Sequence, residues 1–305
     1  MKLCSRPSNS TLHTPHHPIS DLVHESRHTK DIQVARQLHL NAILHGFTPV
    51  SLLGDHLIRM FASCGSLFEA SLSFHQVEET SIYTWHSIIS AHVLLNVDHI
   101  ALQIYHKMLL HLHHHQPQQQ EEEEEREIYP GRVTFLCVLK ACGNVKDTFH
   151  GMLIHHQIIH GGFDSDRAIE SCLINMYMKC QNGNDAYSVL SNAETSNVAS
   201  FNAFMCGCIN NGQSLLAAEC FWKMPIIPNV ITFCSVLKVS SEIHDLYQGI
   251  LVHNYIVENV VCMDSKLAAS LVRMYSSCRR IEEAIHVFKH ASTKETCLWN
   301  AMMAG

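Results

Sequence analysis

Apolar residues recur along the chain at helical spacing. Ile169, Cys172, Leu173, Met176, Tyr177 and Cys180 follow i, i+3, i+4, i+7, i+8 and i+11, which is one face of a helix. Asn182-Gly183 interrupts that pattern, and Ala186, Val189, Leu190 and Ala193 begin a second stripe. The two stripes return at Leu267, Leu271, Met274, Tyr275 and Cys278, then at Ile281, Ala284, Ile285 and Phe288. The pattern predicts short antiparallel helix pairs. A pair of this size cannot bury both of its apolar faces, so neighbouring pairs must stack into an all-α solenoid.

The stripes belong to a longer period. LIRMFASCG at Leu57–Gly65 reappears as LINMYMKCQ at Leu173–Gln181 and as LVRMYSSCR at Leu271–Arg279. Cys64, Cys180 and Cys278 are 116 and 98 residues apart, and the same two spacings relate Trp85, Phe201 and Trp299, and His39, His155 and His253. VTFLCVLK at Val133–Lys140 returns 98 residues later as ITFCSVLK at Ile231–Lys238. The first copy is longer by 18 residues, close to the length of the tract LLHLHHHQPQQQEEEEERE at 109–127. One unit of three helix pairs is repeated, and 109–127 is expected to be a solvated loop inserted in its first copy.

Composition narrows the class. Apolar residues make up 47% of the 305 positions and charged residues 16%, against about 25% charged in ordinary globular domains. A wholly disordered chain is excluded. No apolar run approaches the roughly 18 residues of a membrane span, so no membrane association is expected. The 13 cysteines include no C-x-x-C pair and lie mostly within apolar helical stripes, where a reduced thiol packs as a small hydrophobe. Cys64, Cys180 and Cys278 are read as packing residues. The net charge is −7, and six Glu with one Arg in 109–127 carry −5 of it. The charge balance does not advertise a nucleic-acid binder.

MYMKC at Met176–Cys180, the A-x-x-x-F spacing at Ala70/Phe74 and Ala284/Phe288, and LWNAMMAG at Leu298–Gly305 resemble pentatricopeptide repeat proteins. The alternation of three repeat lengths resembles their plant PLS subfamily. By that register L-like repeats occupy 16–50, 132–166 and 230–264, and S-like repeats 51–81, 167–197 and 265–295. P-like repeats occupy 82–131, with the insertion, and 198–229. A truncated repeat follows at 296–305, and 1–15 is left as a short targeting segment. The resemblance implies a right-handed α-solenoid superhelix of stacked helix-turn-helix repeats.

The resemblance also implies binding of single-stranded RNA, with one base read per P or S repeat. One reading side chain sits early in the first helix and the other at the last position of the repeat. Such reading suits a solenoid, which can present one unstacked base edge to each unit. By register the early residues are Asp55, His86, Ser171, Asn202, Ala269 and Asn300, and the last positions are Ser81, Gly131, Asn197, Asn229 and Glu295. Ser171 with Asn197 resembles an adenine-favouring pair, and Asn202 with Asn229 a pyrimidine-favouring one; hydroxyls and amides supply the needed donors and acceptors. Asp55/Ser81 and His86/Gly131 depart from the family's pairs, Ala269 offers no polar group, and few Lys or Arg form an obvious stripe along the groove.

The function this implies is that of an RNA-editing or RNA-processing adaptor for organellar transcripts. No enzyme activity and no cofactor are expected, and other editing or processing factors are expected partners. The alternative is an α-solenoid protein–protein scaffold, or a truncated gene product that binds no RNA. Lys2, Arg6 and the Ser/Thr content of 1–15, with no acidic residue, resemble the start of an organellar transit peptide; the mitochondrion is preferred and the chloroplast is the alternative. The last repeat is cut on apolar Trp299, Ala301, Met302 and Met303, so the chain is expected to be a fragment that self-associates through this end. His24-Glu25-Ser26-Arg27-His28 matches the H-E-x-x-H zinc pattern, but no G-x-x-H extension follows Thr29 and a solenoid offers no closed third ligand. It is read as chance among 25 histidines, and the His111, His113, His114 and His115 cluster as part of the solvated tract. No C-x-x-C is present for a deaminase-type zinc site.

Overall fold

The computed structural model describes residues 30–44, 51–114, 130–192, 197–259, 261–291 and 293–304. All regular structure among them is α-helical. In chain order the helices are α1 (Ile32–Leu44), α2 (Ser51–Ser63), α3 (Leu67–His75), α4 (Ile82–Leu94), α5 (Asp98–His114), α6 (Arg132–Val145), α7 (Thr148–His160) and α8 (Arg167–Lys179). They continue as α9 (Gly183–Asn192), α10 (Val198–Asn210), α11 (Ser214–Lys223), α12 (Val230–Glu242), α13 (Leu246–Glu258), α14 (Ser265–Ser277), α15 (Ile281–His290) and α16 (Thr296–Ala304). The long period is therefore a period of helices. Ser51, Arg167 and Ser265 open corresponding helices at spacings of 116 and 98.

The chain forms two compact units, 1–137 and 138–305. In the second unit each even-numbered helix from α8 to α16 packs on the next even-numbered one, as α8 on α10, α10 on α12, α12 on α14 and α14 on α16. The intervening helices form a second layer. In the first unit α2 packs on α3 and α4 in the same way. Its core is built from Leu38, Leu57, Ile58, Met60, Phe61 and Ile88, and the second unit buries Ile158, Ile169, Leu173, Phe204 and Phe233.

The turn inside each repeat has one construction. After α2, α8 and α14 the cysteine is followed by a residue in the left-handed region, Gly65 (φ 81), Gln181 (φ 59) or Arg279 (φ 60). The next amide reaches back five residues: Ser66 N–H to Phe61 O at 2.9 Å, Asn182 to Tyr177 at 2.9 Å, Arg280 to Tyr275 at 2.8 Å. This Schellman closure satisfies the last carbonyls of the helix. It also explains why the repeated nine-residue segment ends on Gly, Gln or Arg without disturbing the fold.

The triplicated aromatic and histidine positions join one helix pair to the next. The Phe74 ring meets Trp85 edge-on at 5.0 Å and Phe288 meets Trp299 at 4.8 Å. His155 Nδ1 lies 2.9 Å from the Tyr177 hydroxyl, and His253 Nδ1 lies 2.7 Å from that of Tyr275. In the first copy His39 instead meets the Phe61 ring edge-on at 5.5 Å. At Gly249 the second-layer helix comes so close to α14 that an added Cβ would lie 2.2 Å from the Met274 sulfur.

Part of the expected loop is helical. Leu109–His114 continue α5, making it 17 residues long where its neighbours have 13 or fewer in the same unit. Leu109 and His111 are half-buried, and the His111 ring lies 5.7 Å from Trp85, so packing on the preceding helix extends the helix into the tract. The remainder, 115–127, lies outside the described residues. So do 1–15, the H-E-x-x-H segment at 24–28 and most of the 16–50 repeat.

The His–Tyr links should make stability pH-dependent. Burial holds the His155 and His253 rings below the ordinary histidine range, and burial pushes the Tyr177 hydroxyl up to about 12, so it stays protonated. Between the lowered folded pKa and the unfolded value of about 6.5 the unfolded chain binds more protons than the folded one. Stability should thus be full above about pH 6.5 and fall as the pH drops below it. Thermal unfolding of the parent at pH 7.5 and 5.5 should show the loss. Tyr177→Phe, the arrangement the first copy already has at Phe61, should cost about 1 kcal/mol at pH 7.5; an unchanged midpoint would deny the bond any role.

Candidate nucleic-acid interface

The first residue of each even-numbered helix has an unsatisfied N-terminus to cap, and the chain supplies caps with short polar side chains. Ser81, Asn197 and Asn229, three of the last-position residues, are N-caps. Ser81 Oγ accepts the Thr84 amide at 3.1 Å. Asn197 Oδ1 accepts the amides of Ala199 and Ser200 at 2.8 and 3.1 Å. Asn229 Oδ1 accepts that of Thr232 at 3.0 Å. At Ser81 and Asn229 the box closes in both directions, because Thr84 and Thr232 hydroxyls accept the cap residues' own amides at 3.3 and 3.2 Å.

The third residue of α4, α6, α10 and α12 has a second task. Thr84, Thr134, Ser200 and Thr232 are at most 2% exposed, and each hydroxyl faces the fifth residue of the preceding even-numbered helix. Those fifth residues are the early readers. Ser171 Oγ is 3.0 Å from Ser200 Oγ, and the Thr232 hydroxyl donates to Asn202 Oδ1 at 2.8 Å. Asp55 hydrogen-bonds Thr84. His86 Nδ1 stands 3.5 Å from Thr134 Oγ1. At Asp55/Ser81 and at Asn202/Asn229 the buried hydroxyl thus ties together the two positions that the register pairs in one repeat.

The closure is tightest at Asn202 and Asn229. Asn202 Nδ2 donates to Asn229 Oδ1 at 3.2 Å, and the Thr232 hydroxyl shares its proton between Asn202 Oδ1 and Asn229 Oδ1, the latter at 3.0 Å. These bonds fix the amide orientations. Asn229 Oδ1 faces the helix terminus, so the exposed side chain offers its NH2 group outward. Ser171 and Asn197 meet at one carbonyl: Ser171 Oγ donates to Arg167 O at 2.9 Å and Asn197 Nδ2 does so at 3.4 Å. Here too capping takes the amide oxygen and leaves N–H groups for a ligand.

The other positions offer less. Asp55 is 4% exposed, and burial pushes its carboxyl up, against the Thr84 hydrogen bond and the Arg59 charge. Burial lowers His86, and the nearby Arg59 charge lowers it further. Gly131 caps with its carbonyl alone, accepting the Thr134 amide at 2.9 Å. Ala269 is buried. Asn300 is exposed on α16 and Glu295 is exposed just before it. One buried acid was not foreseen: Glu170, beside Ser171, is pushed up by burial and hydrogen-bonds Ser200.

The sequence reading also missed the cations. Lys238, Lys266 and Arg273 line one groove of about 440 Å³ between α10, α12 and α14, which corrects the expectation that few basic residues face this side. They are scattered over 36 positions and meet only because the helices stack. Among the described residues no group of three or more His, Cys, Asp or Glu side chains is placed to hold a metal ion, and no helix is long and apolar enough to cross a membrane.

Stacked helix pairs with capped polar junctions along one layer define a helical-repeat fold. Residues 199–225 match the pentatricopeptide repeat (PPR) family model, and over most of its length the chain is similar to pentatricopeptide repeat-containing proteins. It is 26% identical over 279 residues to the Arabidopsis thaliana pentatricopeptide repeat-containing protein At4g18520, chloroplastic, covering 90% of this chain and 43% of that protein. It is 27% identical over 277 residues to At1g11290, chloroplastic, of the same plant, covering 90% and 32%. The chain thus spans less than half the length of these relatives. A crystal structure of the pentatricopeptide repeat protein PPR10 in complex with an 18-nt psaJ RNA element aligns with 89% of this chain and 45% of its own, at 14% identity and a TM-score of 0.47.

Capping and presentation can be separated at Asn229. Asp caps as well as Asn, whereas Ala caps poorly. Asn229→Ala should therefore lower stability by about 1 kcal/mol, and Asn229→Asp should stay within about 0.5 kcal/mol of the parent. Urea unfolding of the three proteins decides this; equal loss in both variants would mean the side chain does not cap.

Proposed function

We propose that the chain binds single-stranded RNA along the even-numbered helices, reading bases at the capped junctions, and acts on organellar transcripts as an editing or processing adaptor without chemistry of its own. The observation that carries this reading is the junction of Asn202, Asn229 and Thr232. It holds two amides in fixed orientation with N–H donors available, as needed to meet acceptor atoms on a base edge. A pyrimidine carries such acceptors in its ring carbonyls. The neighbouring Ser171/Asn197 junction lies one repeat earlier, so the two together form a two-base reader, with adenine preceding a pyrimidine in the parallel polarity that the family resemblance implies. The PLS register of repeats is part of this proposal.

The word chloroplastic in the names of two relatives supports an organellar address. The mitochondrion, preferred from residues 1–15, and the chloroplast are told apart by imaging the tagged full-length protein in plant cells.

Fluorescence anisotropy with labelled oligonucleotides tests the reading. An adenine–pyrimidine oligonucleotide should bind more tightly than its purine-substituted counterpart. Asn229→Asp, which keeps the cap but removes the donor group, should reduce that preference about five- to tenfold, the low end for loss of one direct base contact. A parent that binds no single strand would put the scaffold reading in its place.

A further inference from the structure

We infer that the groove formed by Lys238, Lys266 and Arg273 binds the phosphodiester groups of the strand, making the junction between the L-like repeat at 230–264 and the S-like repeat at 265–295 a backbone-holding spacer. The inference rests on the RNA reading and assigns a different part of the ligand to different residues. Three observations lead to it. The groove collects three cations in a chain of net charge −7. All three are exposed. Among the described residues Lys238 has only a loose partner, Glu242 at 3.8 Å, while Lys266 and Arg273 have no carboxylate within ion-pair distance. The nearest acid in sequence, Asp264, is occupied in capping α14 through the Leu267 amide at 2.8 Å.

Register supports the same conclusion. Lys238 and Arg273 each occupy the ninth position of their helix, and so do the exposed Arg59 of α2 and Lys140 of α6. The ninth position of α10 is Cys206, which lines the groove but carries no charge. These ninth-position cations belong to helices of L-like and S-like repeats, although the S-like α8 carries Asn175 there, and Cys206 belongs to a P-like one. The groove also adjoins the reading junction. Val230, which follows Asn229 directly, and Ile231 form part of its wall. A strand whose base is held at Asn229 meets the cations across the next two repeats, and Ala269, in the second of them, can make no polar contact with a base.

Phosphate contacts are blind to sequence and sensitive to salt, so the test differs from that of base reading. The full chain, the groove variant Lys266→Gln/Arg273→Gln, and a control of equal charge, Lys223→Gln/Lys289→Gln on the second layer, are titrated with several labelled single strands over a range of salt, and separately with inorganic tripolyphosphate. Circular dichroism checks that all three are folded. The groove variant should bind every strand about tenfold more weakly at low salt, keep the parent's base preference, and show a salt slope shallower by about 1.4, the value for two lost single-strand phosphate contacts. The control should match the parent. A groove variant with the control's affinity and slope overturns the assignment while the RNA reading stands. Tripolyphosphate binding that the groove variant loses, in a parent that binds no strand, leaves the phosphate site standing and removes the RNA reading. A parent that binds neither removes both.

Discussion

A buried hydroxyl at the third residue of a helix, bonded both to its own N-cap and to the helix before it, is the contact on which this architecture depends. Thr232 does this for Asn229 and Asn202, and Thr84 for Ser81 and Asp55, while Ser200 meets Asn197 through its amide and Ser171 through its hydroxyl. Without it, each cap would satisfy one terminus locally and say nothing about the neighbouring repeat. With it, the start of one helix is held against the fifth residue of the previous one. A capping box with a third partner thereby becomes an inter-repeat joint.

The same joint decides what a ligand would meet. Capping needs an oxygen acceptor, so the amide oxygen turns inward and the amide nitrogen outward. Folding therefore uses one end of the side chain, and the proposed recognition would use the other. Asn and Ser can serve both purposes, whereas Gly131 can cap only through its backbone and Ala269 contributes only packing. The cations of the groove are free of this conflict, because Lys238, Lys266 and Arg273 make no cap and all three are exposed.

Much of this was legible in the sequence. The apolar stripe from Ile169 to Cys180 is the buried face of α8 and its C-cap, and the triplicated histidines mark the links to the next helix through Tyr177, Tyr275 and Phe61. Those features are local or strictly periodic. The joints were half-visible: Ser81-x-x-Thr84 and Asn229-x-x-Thr232 are capping spacings, but the third partner lies about 30 residues earlier in the chain. Register alone placed Asn202 and Asn229 in one site. It could not show that they bond each other, because amide orientation depends on a hydroxyl from the next repeat. The basic groove was hidden for the same reason, its three cations being adjacent only after stacking. Leu109–His114 were hidden by composition, since a histidine-rich tract looks solvated until Trp85 is placed beside it.

The joint can be measured directly by a double-mutant cycle on the stability of the free chain. Asn202→Ala, Thr232→Val and the double variant are unfolded in urea beside the parent. If the Thr232 hydroxyl couples the two helices, the losses should be non-additive by about 0.5–1.5 kcal/mol, as for side chains in one hydrogen-bond network. Strictly additive losses would show that the cap and the inter-repeat contact are independent, and would contradict the account.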